Sequence, residues 1–183
     1  IALARRSRSK MSIGEVLARR DLLRLSLMSS ENRAASALAR TYPGGREAFV
    51  AAMNRKAAQI GMRSTWFVDS SGLSSKNVST ARDMAKLVAT AARYPLIREY
   101  STTAQVSLTR LDSGTQIDYK NTNLLLRRDN GWAINLSKTG FLNDAGYCLV
   151  LQAVIDRRTV DIVLLDSYGR YSRVGDANRI KRW

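Results

Sequence analysis

Apolar positions recur at helical spacing through the first hundred residues and fall towards a period of two after them. The run Asp21-Leu22-Leu23-Arg24-Leu25-Ser26-Leu27-Met28 predicts a helix dense enough in leucine to be buried. Ser29-Ser30-Glu31-Asn32 interrupts it, and Ala34, Ala35, Ala37 and Leu38 resume the helical pattern. Ser and Asn at such a break are expected to cap the second helix, because their oxygens accept orphan backbone N–H groups. Pro43-Gly44-Gly45 stops it. Ala48, Phe49, Ala52, Met53, Ala57 and Ile60 then mark one face of a third helix, with Gly61 as its stop. Ser79 or Thr80 opens another, carrying Met84, Leu87, Val88 and Ala91 on one side and ending before Pro95.

The stretch from about Val106 to Asp166 reads mainly as strands. Trp132 to Ser137 is one. Gly146 to Ile155 is a second, with Leu149, Leu151 and Ala153 alternating against Val150, Gln152 and Val154. Asp156-Arg157-Arg158-Thr159 predicts a tight turn into a third, Val160 to Leu165, so the three can form an antiparallel sheet. Val174, Ala177 and Ile180 give the tail from Tyr171 to Trp183 a helical face. The pattern is that of an α+β domain, helical over about residues 15–100 and sheet over about 101–183. The boundary between the two parts is expected to form a cleft.

Composition narrows the chemistry. The chain has 183 residues, 45% hydrophobic and 25% charged, which suits a packed core rather than disorder. No apolar run is long enough to predict a transmembrane helix, for which about 18 residues are needed. The absence of histidine removes Ser-His-Asp triads and His-ligated zinc. A single cysteine removes an internal disulfide and any cysteine metal cluster. Catalysis must therefore rest on Ser/Thr, Lys, Tyr and carboxylates. Thirty Lys and Arg against 15 Asp and Glu give a net charge of +15, for which nucleic acid is the first partner to consider. The bases are scattered, however, in Arg5, Arg6, Arg8 and Lys10, in Arg19, Arg20 and Arg24, in Arg127-Arg128 and Arg157-Arg158, and in Arg179, Lys181 and Arg182. That distribution reads as a solvated basic surface, so no nucleic-acid partner is expected; an anionic cell-wall polymer suits the charge equally well.

Two short motifs carry chemistry. Lys138-Thr139-Gly140 ends the first strong strand and is followed by Phe141. A cation beside a small hydroxyl can anchor a substrate carboxylate, and glycine lets a substrate backbone lie against the strand. Ser30-Glu31-Asn32 is an S-x-N element at the helical break, where side chains can point into a cleft. The pattern is cheap, since Ser75-Lys76-Asn77 repeats it.

The surrounding sequence resembles the low-molecular-mass penicillin-binding proteins of the D-alanyl-D-alanine endopeptidase and carboxypeptidase type. The resemblance runs in order through Leu25 to Ala35, Tyr42-Pro43-Gly44-Gly45, Phe67-Val68-Asp69 to Gly72-Leu73-Ser74, and Asn77 to Asp83. It continues through Asn121-Thr122-Asn123-Leu124-Leu125, Leu136 to Phe141, and Ala145 to Val150. It implies a β-lactamase-like fold, a periplasmic or cell-wall-facing location, and peptidoglycan peptides and β-lactams as partners. It also implies acyl-enzyme hydrolysis of a D-alanyl peptide bond without metal or organic cofactor. On that resemblance Ser30 relays a proton to the leaving amine, and Asn32 bonds the substrate's acyl amide. Lys138 supplies positive potential and orients Ser30, and Thr139 binds the carboxylate. Gly140 keeps the approach open, and Phe141 lends its N–H to the oxyanion hole.

One element departs from the family pattern. These enzymes acylate the serine of an S-x-x-K motif that opens a buried helix. Here Ser7-Arg8-Ser9-Lys10 alone fits S-x-x-K, in a basic setting with no apolar helical run behind it and only about 20 residues before Ser30. It is read as a basic loop, and the chain as an N-terminally truncated relative that lacks its nucleophile. Alternatives are a non-catalytic peptidoglycan-binding relative, a basic nucleic-acid-binding domain and a class A β-lactamase relative. The last would require S-D-N and a deacylating glutamate. Cys148 is expected to be a small buried residue, Trp66, Trp132 and Trp183 to serve packing, and Glu31 to face solvent.

Overall fold

The computed structural model describes residues 9–127 and 131–183. Among them, five helices precede the strands: α1 (Arg19–Met28), α2 (Asn32–Arg40), α3 (Gly45–Gln59), α4 (Ala81–Ala91) and α5 (Pro95–Thr102). A hairpin of β1 (Gln105–Thr109) and β2 (Gln116–Lys120) follows. Then come β3 (Ala133–Leu142), β4 (Gly146–Ile155), β5 (Arg158–Ser167) and α6 (Ser172–Arg182). β3, β4 and β5 form an antiparallel sheet in that order. The α+β arrangement is the expected one.

The alternation in β4 is what lets the sheet carry helices on both faces. Leu149, Leu151 and Ala153 point to one side, where they pack with Ile162 and with Ala177 of α6. Val150 points to the other, against Leu136 and the α4 residues Val88 and Met84. Two apolar faces on one strand bury it completely at its centre, each large side chain contributing about 1.5–3 kcal/mol. The helical lobe has its own core of Leu25, Met28 and Ala34, which also takes in Leu108 and Tyr119 of the β1–β2 hairpin. The hairpin thus lies in the half of the chain expected to form sheet yet packs against the helices, because its inward positions meet α1 rather than β3.

Local endings follow side-chain chemistry. Thr80 caps α4 by accepting the Asp83 N–H at 3.2 Å. Gly61 closes α3 in a Schellman arrangement, with Met62 N–H on the Ala57 carbonyl and Gly61 N–H on that of Ala58. Pro95 does more than end the preceding helix: it is the first residue of α5, a helix the sequence pattern did not predict, where its missing N–H costs nothing. Asp156 and Arg157, both at positive φ, make the two-residue turn from β4 to β5.

Several expected boundaries and caps move; β5 spans Arg158–Ser167 rather than Val160 to Leu165. β3 runs to Leu142, so Lys138-Thr139-Gly140 lies inside a paired strand rather than at its end. The extension holds because Gly146, at φ 63°, turns the chain straight into β4; a Cβ there would fall 2.9 Å from the Asp166 Cα. At the α1–α2 break neither Ser30 nor Asn32 caps. Glu31 is the N-cap residue, and its side chain makes no cap bond.

Candidate active site

A groove of about 650 Å³ separates the α1–α2 turn from β3. Its walls carry Ser30, Asn32, Thr122, Lys138, Thr139, Gly140 and Phe141, with Ser70 to Leu73 on the helical side and Arg170 and Arg173 on the other. All six residues singled out in the sequence meet here, although Ser30 and Lys138 lie 108 residues apart in the chain.

Ser30 closes α1 in the left-handed conformation at φ 59°, a strained state for a residue with a Cβ. Glycine would adopt that backbone at lower cost but would bring no hydroxyl. The hydroxyl is what the groove uses: Lys138 Nζ donates to Ser30 Oγ at 2.6 Å and to the Thr139 carbonyl at 2.7 Å. Burial, reinforced by the nearby Arg173 charge, pulls the Lys138 ammonium down to about 8. Lys138 is therefore still protonated at neutral pH and can act as a proton reservoir not far above it.

Asn32 opens α2 and donates its Nδ2 to the Ser71 carbonyl at 2.8 Å, which leaves Oδ1 as the acceptor it can offer a ligand N–H. Across the groove, buried Thr139 donates to Thr122 Oγ1 at 2.6 Å. Thr122 is tied in turn to the end of α1, its N–H on the Met28 carbonyl at 3.0 Å. This segment stitches the two lobes together beneath the groove. A Cβ on Gly140 would meet only the Cys148 Cβ, at an ordinary 3.5 Å, so packing inside the fold does not demand glycine there. Phe141 is half exposed and lies against Tyr147, ring centroids 4.3 Å apart.

Arg173 is the residue the sequence reading missed. It is 6% exposed, donates to the Gly140 and Cys148 carbonyls at 2.9 Å each, and lies 5.5 Å from the Tyr147 ring centroid. Burial, and then the like charge of Arg170, lower its proton affinity. Its place on α6, one turn before the buried Ala177, is the one signal that could have flagged it, and a basic tail hides that signal.

Other expectations are corrected. Glu31 is 6% exposed rather than solvent-facing: its carboxylate accepts from Ser9 Oγ at 2.5 Å and from the Lys10 N–H at 3.0 Å, pinning the segment before α1 to the turn. Cys148 is only half buried. Trp66 and Trp183 are exposed, whereas Trp132 packs, its Nε1 donating to Asn178. Ser75-Lys76-Asn77 lies outside the groove, where Asn77 serves a loop. Of the S-x-x-K segment, Ser7 is outside the described residues. Lys10 Nζ donates to the Asp118 carbonyl at 2.7 Å and lies over the Tyr119 ring, away from the groove lining.

Comparison with known proteins places the chain and its fold. A family model described as D-alanyl-D-alanine carboxypeptidase matches residues 2–169. The chain belongs to that family. The D-alanyl-D-alanine endopeptidase of Pseudomonas aeruginosa is 46% identical to it over 175 residues, covering 96% of this chain and 56% of that protein. The Escherichia coli D-alanyl-D-alanine endopeptidase is 47% identical over the same shares of the two chains. This member of the D-alanyl-D-alanine carboxypeptidase family thus spans a little over half the length of those relatives. Among solved structures, the Streptomyces K15 DD-transpeptidase superposes with a TM-score of 0.88 at 28% identity, covering 99% of this chain and 73% of that one. Penicillin-binding protein D2 of Listeria monocytogenes, in its cefotaxime-bound form, gives 0.77 at 30% identity, covering 91% and 66%. The helical lobe, the hairpin and the α6-covered sheet are therefore the family fold, and the groove falls between its two lobes.

Proposed function

We propose that the groove binds D-alanyl-terminated peptidoglycan peptides, and β-lactams in their place, as the substrate-binding part of a serine-type D-alanyl-D-alanine peptidase. The observation that carries this reading is the 2.6 Å bond from Lys138 to Ser30, which brings the cation of β3 and the hydroxyl of the α1–α2 turn together in a groove that Asn32 and Thr139 also line. A peptide laid along β3 puts its carboxylate near Thr139 and the Lys138 charge, and its acyl amide N–H towards Asn32 Oδ1. Ser30, polarised by Lys138, can pass a proton to the departing amine, since the lysine releases its own proton at about 8. Phe141 N–H serves as an oxyanion donor. The endopeptidase form of the reaction, on internal D-alanyl bonds, is supported by the names of the relatives at 46% and 47% identity. Because peptidoglycan lies outside the cytoplasmic membrane, the reading puts the protein on the periplasmic or wall-facing side.

Among the described residues that line the groove, no serine belongs to an S-x-x-K motif, so in this reading they do not supply the acylated serine. The S-x-x-K lysine of Ser7-Arg8-Ser9-Lys10 is engaged with Asp118 outside the groove, and the loss of a serine nucleophile costs on the order of a million-fold in turnover. The chain of 183 residues is therefore expected to bind without forming a covalent penicillin adduct; a labelled-penicillin band that disappears in Ser7→Ala would overturn this part. Binding itself is tested by ¹⁵N NMR with an N-acylated D-alanyl-D-alanine peptide. Shifts should concentrate at Asn32, Thr139, Gly140 and Phe141, and the L,L peptide should not reproduce them. No shift, or equal shifts for both peptides, would remove the proposal.

A further inference from the structure

Beside the α1–α2 turn, one loop builds part of the wall facing β3, and one carboxylate organises it. Residues 66–78 leave and return through the antiparallel bridge of Trp66 with Val78, each N–H on the other's carbonyl at 2.9 Å. Asn54 of α3 clamps the base, donating to the Phe67 carbonyl and accepting its N–H, both at 2.8 Å. Inside the loop, Asp69 Oδ1 accepts from the Ser71 N–H, the Ser71 hydroxyl at 2.8 Å and the Gly72 N–H at 2.8 Å. Its Oδ2 accepts from the Ser74 N–H at 2.8 Å and from Asn77 Nδ2 at 2.9 Å. Five donors on one carboxylate leave the intervening backbone little freedom to turn. The Ser71, Ser74 and Gly72 donors outweigh the opposing effect of burial and hold the group below the usual carboxylate range.

That backbone matters because of a single carbonyl. Ser71 O takes the Asn32 Nδ2 proton at 2.8 Å, and this bond decides which end of the Asn32 amide faces the groove. With Nδ2 committed, Oδ1 is presented to a ligand N–H; with Ser71 turned away, the amide is free to present either end. We propose that Asp69 is a positioning residue that acts through the Ser71 carbonyl to set the Asn32 amide as an acceptor, and so selects ligands that bring an N–H donor to that point. The inference rests on the reading that Asn32 faces the bound peptide, and it adds a residue outside the S-x-N and K-T-G elements. Asp69 touches no ligand itself. In Asp69→Asn one acceptor oxygen becomes an NH₂ group facing N–H donors, so the loop loses its organiser with almost no change in volume.

The experiment compares Asp69→Asn, the milder Asn77→Ala and a control, Asp83→Asn, in the full 183-residue chain. Asp83 is a comparable carboxylate, accepting from the Ser64 N–H, Thr65 and Lys86, but lies away from the groove. Two signals are read: the Asn32 side-chain NH₂ resonances without ligand, and affinity for the D-alanyl-D-alanine peptide. Asp69→Asn should shift or broaden the Asn32 resonances and weaken binding about tenfold, the worth of one well-placed hydrogen bond. Asn77→Ala should do the same to a smaller degree. Asp83→Asn should lower the melting temperature yet leave both signals in place. Unmoved Asn32 resonances in a folded Asp69→Asn protein would overturn the proposal, as would equal effects from Asp83→Asn. If the parent chain binds no peptide, the functional reading falls, while the Asn32 resonances still decide the role of Asp69.

Discussion

Lys138 carries two opposed demands in one side chain. Its charge serves the bond to the Ser30 hydroxyl and, in the function proposed above, an anionic ligand, yet burial makes that charge costly, which is why its proton is held only to about 8. The sign follows directly. A lysine whose folded value lies below its ordinary 10.5 costs the fold stability while it is charged, and the cost fades as pH rises from about 8 towards 10.5. Lys138→Met is therefore expected to raise the melting temperature at pH 7 by about 2–4 °C, the equivalent of ~1 kcal/mol in a chain this size, while abolishing peptide binding. A drop in melting temperature would show that its bonds to Ser30 and Thr139 outweigh its desolvation. In the unaltered protein, peptide affinity should fall as pH rises through about 8, followed by the same NMR titration. Ser30 shows the matching compromise in its backbone, holding a left-handed conformation that glycine would adopt more cheaply.

Among the elements, α4 offers the plainest test of how local chemistry supports the site. Its N-terminus is capped by Thr80, and Asp83 one turn on ties it to the Ser64–Thr65 segment and to Lys86. Thr80→Ala should cost about 1 kcal/mol, read as a lower denaturation midpoint with an unchanged denaturant slope. Asp83 is held below the usual carboxylate range, first by the Lys86 hydrogen bond, so its contribution is present above 3.8 and is lost as pH falls below it. Asp83→Asn should accordingly melt lower at pH 7, with the gap to the parent closing in acid. A gap that persists there would mean that packing, not charge, is responsible. The same element shows what periodicity reveals. Met84 and Val88 sit on the buried face as their spacing predicts, whereas the neighbouring helix α5, opened by Pro95, was invisible because a proline signals a stop and a start alike.

Taken whole, the molecule is a strongly basic body with a cationic groove. Among the described residues that line it, Lys138, Arg170 and Arg173 face one carboxylate, Glu31, which is already bonded to Ser9 and Lys10. A net charge of +15 should speed the arrival of anionic peptides, so association rates should fall as salt rises from about 50 to 200 mM, while the L,L against D,D preference stays fixed. Rates insensitive to salt would mean that the basic surface plays no part in capture. The groove exists only because two lobes meet: Thr122 bonds both α1 and Thr139, so the helical break and the strand are held at one spacing.

The linear chain determined the elements and the motif residues. Apolar spacing is a local property, and it was enough to place α1 to α4, the three-stranded sheet and the closing helix. K-T-G and S-x-N were legible because their residue types carry chemistry wherever they fall. Burial and pairing are not local, and there the sequence reading failed. Glu31 looked solvated until Ser9 and Lys10 closed over it, and Arg173, which no motif singled out, was brought against the Gly140 carbonyl only by the packing of α6. Cys148, Trp66 and Trp183 went the other way, apolar by type yet left partly or wholly open. Which hydroxyl meets which ammonium, across a hundred residues of chain, was set only when the two lobes packed, since that distance belongs to neither lobe alone.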